Sequence, residues 1–140
     1  MRIVFVDDAA VSGALFVRIV RELGHDVVLV PAPREAPVAL DDAPVVALAR
    51  QVDPDLIIVD GRWRDPLGTD SVSTARLATT IAVLRGAVPR AIVGVVAAPT
   101  ETALLRVAAD AGAGFVVPRP LLRSQVATVL AALHERATAR

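Results

Sequence analysis

A chain of 140 residues with 15 basic and 15 acidic side chains has a formal net charge of zero at pH 7, so no bulk charge points to nucleic acid or to an anionic membrane. Hydrophobic residues make up 54% of the chain, which predicts a folded globule and excludes a disordered one. Cysteine is absent and every basic residue is an arginine, so disulfides, thiol catalysis and a Schiff-base lysine are excluded.

The length predicts a single domain that spans residues 1–140. No apolar stretch approaches the roughly 18 residues of a membrane span. After Met1 and Arg2 the chain enters a strand-like run without a signal-peptide pattern. We therefore expect a cytoplasmic protein that contacts no membrane and, through this domain, no nucleic acid directly.

Strand-like and helix-like segments alternate along the chain. Continuous runs of Val, Ile, Leu and Phe, which are typical of strands buried on both faces of a parallel sheet, predict five strands within residues 3–6, 26–30, 55–60, 91–97 and 114–117. Amphipathic segments predict five helices, at residues 9–23, at 45–52, from Ser71 or Ser73 to about 85, at 99–111 and from beyond 120 to the carboxyl terminus. This alternation predicts an α/β fold, a doubly wound five-stranded parallel sheet flanked by five helices.

Glycines and prolines mark the ends of several predicted segments. Gly24, Gly86 and Gly112 are each expected to end a helix, as glycine does just past a helix end. Four prolines between residues 31 and 44 predict a loop, and a polar loop is predicted at residues 62–70. The buried face of the first helix is expected at the apolar residues spaced four apart, Val11, Leu15, Ile19 and Leu23.

Three carboxylates follow two of the predicted strands. Asp7 and Asp8 come after the first strand, and Asp60 ends the third, where a glycine lets the chain turn away. Open α/β sheets bind ligands at the edge where parallel strands end. Carboxylates crowded there repel each other unless a cation compensates, and oxygen ligands of this kind suit Mg²⁺. The alternative role for each aspartate alone is to form a turn or to cap a helix.

Three ordered segments resemble the receiver domain of two-component response regulators, the CheY-like family. They are Val6-Asp7-Asp8 after the first strand, residues 54–60 at the third strand, and residues 111–120, where Ala-Gly-Ala leads through Val-Val to Arg119-Pro120. The likeness covers nearly the whole chain in order and spacing. It implies a flavodoxin-like sheet with strand order 2-1-3-4-5.

The resemblance implies a role for each carboxylate. Asp60 would be the phosphoryl acceptor, a carboxylate nucleophile. Asp8 would bind Mg²⁺ directly and Asp7 would help through water, while Asp60 and the backbone carbonyl of Arg62 complete the metal site. Such a domain is not an enzyme. It would act in a phosphorelay with a sensor histidine kinase or another signalling protein, with a homodimer as one further option.

Some positions depart from the family pattern. Ala97 stands where receivers carry Ser or Thr at the end of the fourth strand, and it has no hydroxyl to bond a phosphoryl group. Arg119 stands in place of the family lysine, with a planar fork instead of a compact ammonium. Arg62 brings a cation that could compete with Mg²⁺. We therefore expect an atypical receiver in which phosphorylation couples weakly to the fourth and fifth strands, and in which Arg119 or Arg62 paired with Asp60 mimics a fixed state.

The output surface is expected at the face built by the last helix. The aromatic switch position of the fifth strand is Val116, with Phe115 one residue away on the other face. Leu121, Leu122 and Val129 are candidates for contacts with a partner protein, or for ordinary core packing.

The same residues leave one other class of function open and argue against two classes of enzyme. A phosphorylation-independent pseudo-receiver or a small-molecule-binding module stays open, because the proline-rich segment and the loop around Trp63 could shape a pocket. An aspartyl-nucleophile phosphatase of the haloacid dehalogenase type is not supported, because Asp7-Asp8-Ala9 is not Asp-x-Asp and the chain has no lysine. The glycine-rich motifs of NTPases and dinucleotide enzymes are absent as well.

Overall fold

Parallel strands and covering helices alternate along the whole described part of the chain. The computed structural model describes residues 1–7, 10–31, 44–61 and 74–138. Within these residues the strands β1 to β5 are Arg2–Asp7, Asp26–Pro31, Leu56–Asp60, Ile92–Ala97 and Phe115–Pro118. The helices α1 to α5 are Ala10–Glu22, Pro44–Val52, Thr74–Ala87, Thr102–Ala111 and Arg123–Thr138. None of the helices in this part of the chain is long and apolar enough to cross a membrane.

The five strands form one parallel sheet in the order β2-β1-β3-β4-β5, which confirms the predicted fold class and strand order. β1 and β3 are neighbours, and Val6 pairs with Val59 in their register. The next residues, Asp7 and Asp60, therefore end side by side at the carboxyl edge of the sheet. β4 lies between β3 and β5 and brings Ala97 to the same edge.

The central strands are buried on both faces, which explains their unbroken apolar sequences. Successive side chains of a strand point to opposite faces, so they divide between two apolar clusters. One cluster joins Val4, Ile57 and their neighbours to α2, α3 and α4. The other joins Ile3, Phe5, Leu56 and Ile58 to α1 and α5. Burial of each such side chain contributes about 1.5–3 kcal/mol.

The predicted buried face of α1 is wrong at Leu15. This side chain is 48% exposed, whereas Phe16 is fully buried and stacks on Phe5 with ring centroids 4.3 Å apart. Positions four apart advance by about 40° more than one full turn, so a strict four-residue stripe drifts around the helix. The face that the sheet covers instead contains Phe16, Ile19 and Val20.

Two of the three glycines that are predicted to end helices do so. Gly112 adopts φ 102° and ends α4, and Gly24 adopts φ 89° just after α1, both as predicted. Gly86, which is predicted to end α3, lies inside it, and the helix runs one residue further to Ala87. Val88, just past the end, is buried, and its N–H donates to the carbonyl of Leu84.

The two outer prolines of the predicted loop belong to regular elements. Pro31 ends β2, and Pro44 opens α2, a position where the missing N–H of proline costs nothing. Residues 32–43 and 62–73 lie outside the described residues, as do the predicted polar loop around Trp63 and the candidate caps Ser71 and Ser73.

Candidate functional site

Two buried carboxylates lie at the carboxyl edge of the sheet. Asp7 ends β1 and Asp60 ends β3, and both residues are almost completely shielded from solvent. The parallel register of β1 and β3 brings them to the same level. A buried carboxylate is costly unless it is hydrogen-bonded or paired with a cation, so this edge of the sheet needs a compensating positive charge.

Arg119 supplies a positive charge to Asp60. It follows β5, and its backbone N–H donates to the carbonyl of Ala97 at 3.1 Å. Its guanidinium Nη2 donates to Asp60 Oδ1 at 2.6 Å, a short charge-assisted hydrogen bond. Because β4 lies between β3 and β5, this side chain crosses the end of β4 at Ala97. The sequence predicted an ion pair of Asp60 with Arg119 or Arg62, and the structure shows the pair with Arg119.

Ala97 occupies the end of β4, where it is buried and provides no hydroxyl. The residues after it are fixed by reciprocal hydrogen bonds. The backbone N–H of Ala98 donates to Glu101 Oε1 at 2.9 Å, and the backbone N–H of Glu101 donates to the Ala98 carbonyl at 3.0 Å. The turn between β4 and α4 is therefore held by a side chain that the sequence analysis missed. Glu101 directly precedes α4, and an acidic residue at the start of a predicted helix is the signal that could have identified it.

Two glycines let other elements approach the site closely. The N–H of Gly61 donates to the carbonyl of Val96 at 2.9 Å, and an added Cβ would lie 2.7 Å from that oxygen and 2.8 Å from Leu104 Cδ2. Gly13 of α1 faces the other carboxylate, and its Cβ would lie 2.7 Å from Asp7 Oδ2. The turn at Gly61 is as predicted from the sequence, whereas the role of Gly13 is not among the predictions; its signal is a glycine inside an amphipathic helix.

The remaining predicted metal ligands cannot be placed, because Asp8 and Arg62 lie outside the described residues. Among the residues that are described, no group of three or more acidic or histidine side chains could hold a metal ion. The donor chemistry of Asp7 and Asp60 nevertheless fits Mg²⁺, which takes one or two carboxylates and completes its shell with other oxygens. The metal roles of all four residues therefore stay predictions.

The residues predicted for output are only partly accessible. Val116 is exposed on β5, and Phe115 packs from the opposite face of the sheet against Gly94 on β4. Leu122 is exposed just before α5, whereas Leu121 and Val129 pack against the apolar cluster under α1 and α5. Leu121 and Val129 therefore contribute mainly to core packing. Of the three candidates, only Leu122 has a largely exposed side chain.

Comparison with known proteins gives matches in structure only. No model of a known protein family matches the sequence, and no curated protein matches it. A structure assigned to pilus assembly, cpaE from Burkholderia thailandensis, matches with a TM-score of 0.71 and 22% identity over 100% of this chain and 99% of that chain. The CheY-like protein tadZ from Pseudomonas aeruginosa PAO1 matches with a TM-score of 0.71 and 14% identity over 95% of this chain and 98% of that chain.

A third match links the fold to a metal site. The receiver domain of the sensor histidine kinase PA1611 from Pseudomonas aeruginosa PAO1 matches with a TM-score of 0.69 and 19% identity, over 94% of this chain and 95% of that chain. That structure has a magnesium ion coordinated in its active-site cleft. Two of these neighbours are described as a CheY-like protein and as a receiver domain, and a response regulator from Thermotoga maritima matches as well, so the resemblance drawn from the sequence is confirmed at the level of architecture. The protein has the fold of the receiver domain of response regulators.

Proposed function

We propose that this chain is an atypical receiver domain of two-component signal transduction, and that Asp60 is its phosphoryl acceptor. The observation that carries the proposal is the buried carboxylate of Asp60, held by Arg119 and placed beside Asp7 at the carboxyl edge of the sheet. A carboxylate in this position is a nucleophile of the aspartyl-phosphate type. In this proposal the domain is not an enzyme; it accepts a phosphoryl group from a phosphodonor.

The transfer step assigns a task to each residue. A carboxylate oxygen of Asp60 attacks phosphorus, and the leaving group of the donor departs with the electrons of its broken bond to phosphorus, which is P–O in acetyl phosphate and P–N in a phosphohistidine. Arg119 already contacts Asp60, and its planar fork matches the oxygens of the incoming phosphoryl group. Mg²⁺ held by Asp7, Asp8, Asp60 and the backbone carbonyl of Arg62 would neutralise negative charge on those oxygens.

The partners follow from this chemistry. A receiver needs a protein or small molecule that delivers the phosphoryl group, and the protein donor would be a sensor histidine kinase or another cytoplasmic signalling protein. The output would pass through protein contacts, among which a homodimer is one form. The magnesium ion reported for the PA1611 receiver domain supports the metal part of the proposal.

A second function is favoured by a separate observation, the turn after β4. Ala97 has no hydroxyl to contact a phosphoryl group, and the reciprocal hydrogen bonds between Ala98 and Glu101 fix this turn. In the alternative, the domain is a pseudo-receiver that presents one constant surface to its partner. The ion pair between Arg119 and Asp60 then serves only to hold β3 and β5 in place.

The deciding experiment is intact-mass spectrometry after incubation with acetyl phosphate and Mg²⁺. We expect one phosphoryl adduct on the native chain, no adduct on Asp60→Asn, and an unchanged adduct on Asp110→Asn, which alters an exposed aspartate of α4. The adduct should be lost when the metal is chelated. A folded native chain that acquires no adduct would exclude the phosphoryl-acceptor function and leave the pseudo-receiver.

A further inference from the structure

A cleft of about 560 Å³ opens at the amino edge of the sheet, away from the acidic site. It lies between the end of α3, the turn after α4 and the start of β4, and the last turn of α5 reaches it through Arg136. β4 runs from this cleft at Ile92 to the acidic edge at Ala97, a separation of about 17 Å for a strand of that length. The two sites therefore share no side chain.

The charge of this amino-edge cleft has one sign. Its described lining includes Arg85 and Arg136, and no acidic residue. Neither guanidinium takes part in the ion pairs among the described residues, which involve other arginines. Both side chains are accessible to solvent, so they can reorient toward a ligand without breaking any of those ion pairs.

Small residues keep the cleft open. Glycines and alanines from α3, from the residue before β4, and from the end of α4 and the turn after it form much of its lining. The guanidinium of Arg85 lies across Gly112, where an added Cβ would be 2.1 Å from Nη1. At Gly86 an added Cβ would meet no atom within 4 Å, so this position faces open space. The lining is therefore built largely of small residues, with the guanidinium of Arg85 lying along it.

We propose that the amino-edge cleft binds a small organic phosphate, with Arg85 and Arg136 on the phosphoryl oxygens and the small residues of the lining beside the organic part. The cleft volume falls within the range of about 300–1,000 Å³ that is typical of small-molecule sites. Arginine forks match phosphate oxygens in pairs, which gives both affinity and orientation. Arginines in the last turns of α3 and α5 also offset the helix dipoles, but that role alone does not require an open cleft beside them.

ADP is the probe for this site, titrated by calorimetry into the full chain in the presence of a chelator so that metal binding at Asp60 contributes nothing. We expect saturable binding at millimolar concentrations or below. Arg85→Gln and Arg136→Gln should each weaken it by about tenfold or more, equivalent to about 1.4 kcal/mol. Gly86→Leu should weaken it similarly, because the new side chain fills the cleft while both arginines remain.

Matched variants test whether ADP binds in this cleft or elsewhere on the chain. Arg106→Gln, which removes an exposed arginine of α4 outside the cleft, and Asp60→Asn should both bind ADP as the native chain does. Inorganic phosphate should compete with ADP, and adenosine should not. The inference is overturned if ADP shows no saturable binding, if adenosine binds as tightly as ADP, or if the cleft variants bind ADP unchanged. In the first case the two arginines only offset helix ends.

Discussion

Replacing Arg119 by Met tests how strongly the acidic site depends on its ion pair. The change removes the guanidinium from Asp60 and keeps an unbranched side chain of similar length. Asp60 is 3% exposed at its side chain and Arg119 is 22% exposed, so the carboxylate would be left buried without this cation. Removing one partner of a buried pair costs about 3–5 kcal/mol. The partial exposure of Arg119 lets water take over some of its role, so we expect about 3 kcal/mol.

Urea unfolding gives the magnitude directly. The free energy of unfolding falls by about 1.5 kcal/mol for each mole per litre of urea. A loss of about 3 kcal/mol in this free energy therefore lowers the urea concentration at the unfolding midpoint by about 2 M. The matched control is Arg123→Met, because Arg123 pairs with Glu22 on the surface and both side chains are largely exposed. Such a surface pair contributes at most about 1 kcal/mol.

A double-mutant cycle isolates the pairwise contribution. Asp60→Asn combined with Arg119→Met should be more stable than the sum of the single variants predicts, with a coupling free energy of about 2 kcal/mol. If Arg119→Met costs no more than Arg123→Met, or if the coupling is zero, the ion pair does not hold the site together and the inference from burial is refuted.

Three further predictions concern single positions. Gly61→Ala should destabilise the fold by about 1–3 kcal/mol, because its new Cβ meets the Val96 carbonyl. Gly86→Ala lies in open space inside α3 and should stabilise the fold by about 0.5–1 kcal/mol. Thermal unfolding of both variants checks the contrast. Glu101→Ala should increase hydrogen exchange at the Ala98 amide, since it removes the acceptor of that N–H; unchanged exchange would contradict this. Burial, the charge of the amino terminus and His134 lower the pKa of His25 in the folded chain, so the unfolded chain binds the proton more readily. The free energy of unfolding should therefore fall as the pH drops below about 6.5. In His25→Asn, the unfolding midpoint should depend less on pH between pH 7 and 5.

The architecture could be predicted from the sequence because the strands have an unambiguous pattern. Runs such as Leu56–Asp60 have no polar residue before the terminal carboxylate, which is the pattern of strands covered on both faces. Parallel pairing then brings the terminal residues of neighbouring strands together without any knowledge of side-chain packing. Asp7 and Asp60 could therefore be placed at one edge from sequence, and so could the departures at Ala97 and Arg119.

Features that depend on packing between elements could not be read in this way. The choice between Leu15 and Phe16 for the buried face of α1 depends on the helix rotation that lets Phe16 stack on Phe5. Gly13 became informative only when α1 was seen to lie against Asp7. Arg119 and Arg62 both follow strands at the same edge, so only the three-dimensional arrangement shows Arg119 on Asp60.

In the proposed receiver function, the turn between β4 and α4 limits how a phosphoryl group on Asp60 can act on the rest of the domain. A ligand or modification shifts an equilibrium only by the difference between its interaction energies with the two states. A movement toward a phosphoryl group on Asp60 that separates Ala98 from Glu101 would break the two hydrogen bonds between them, each worth about 1 kcal/mol. A hydroxyl at position 97 would return about 1.5–3 kcal/mol through a hydrogen bond to the charged group, but Ala97 cannot make that bond. The energy difference therefore opposes such a movement, and in the proposed function the contact from Asp60 to Arg119 offers a route through β5 instead.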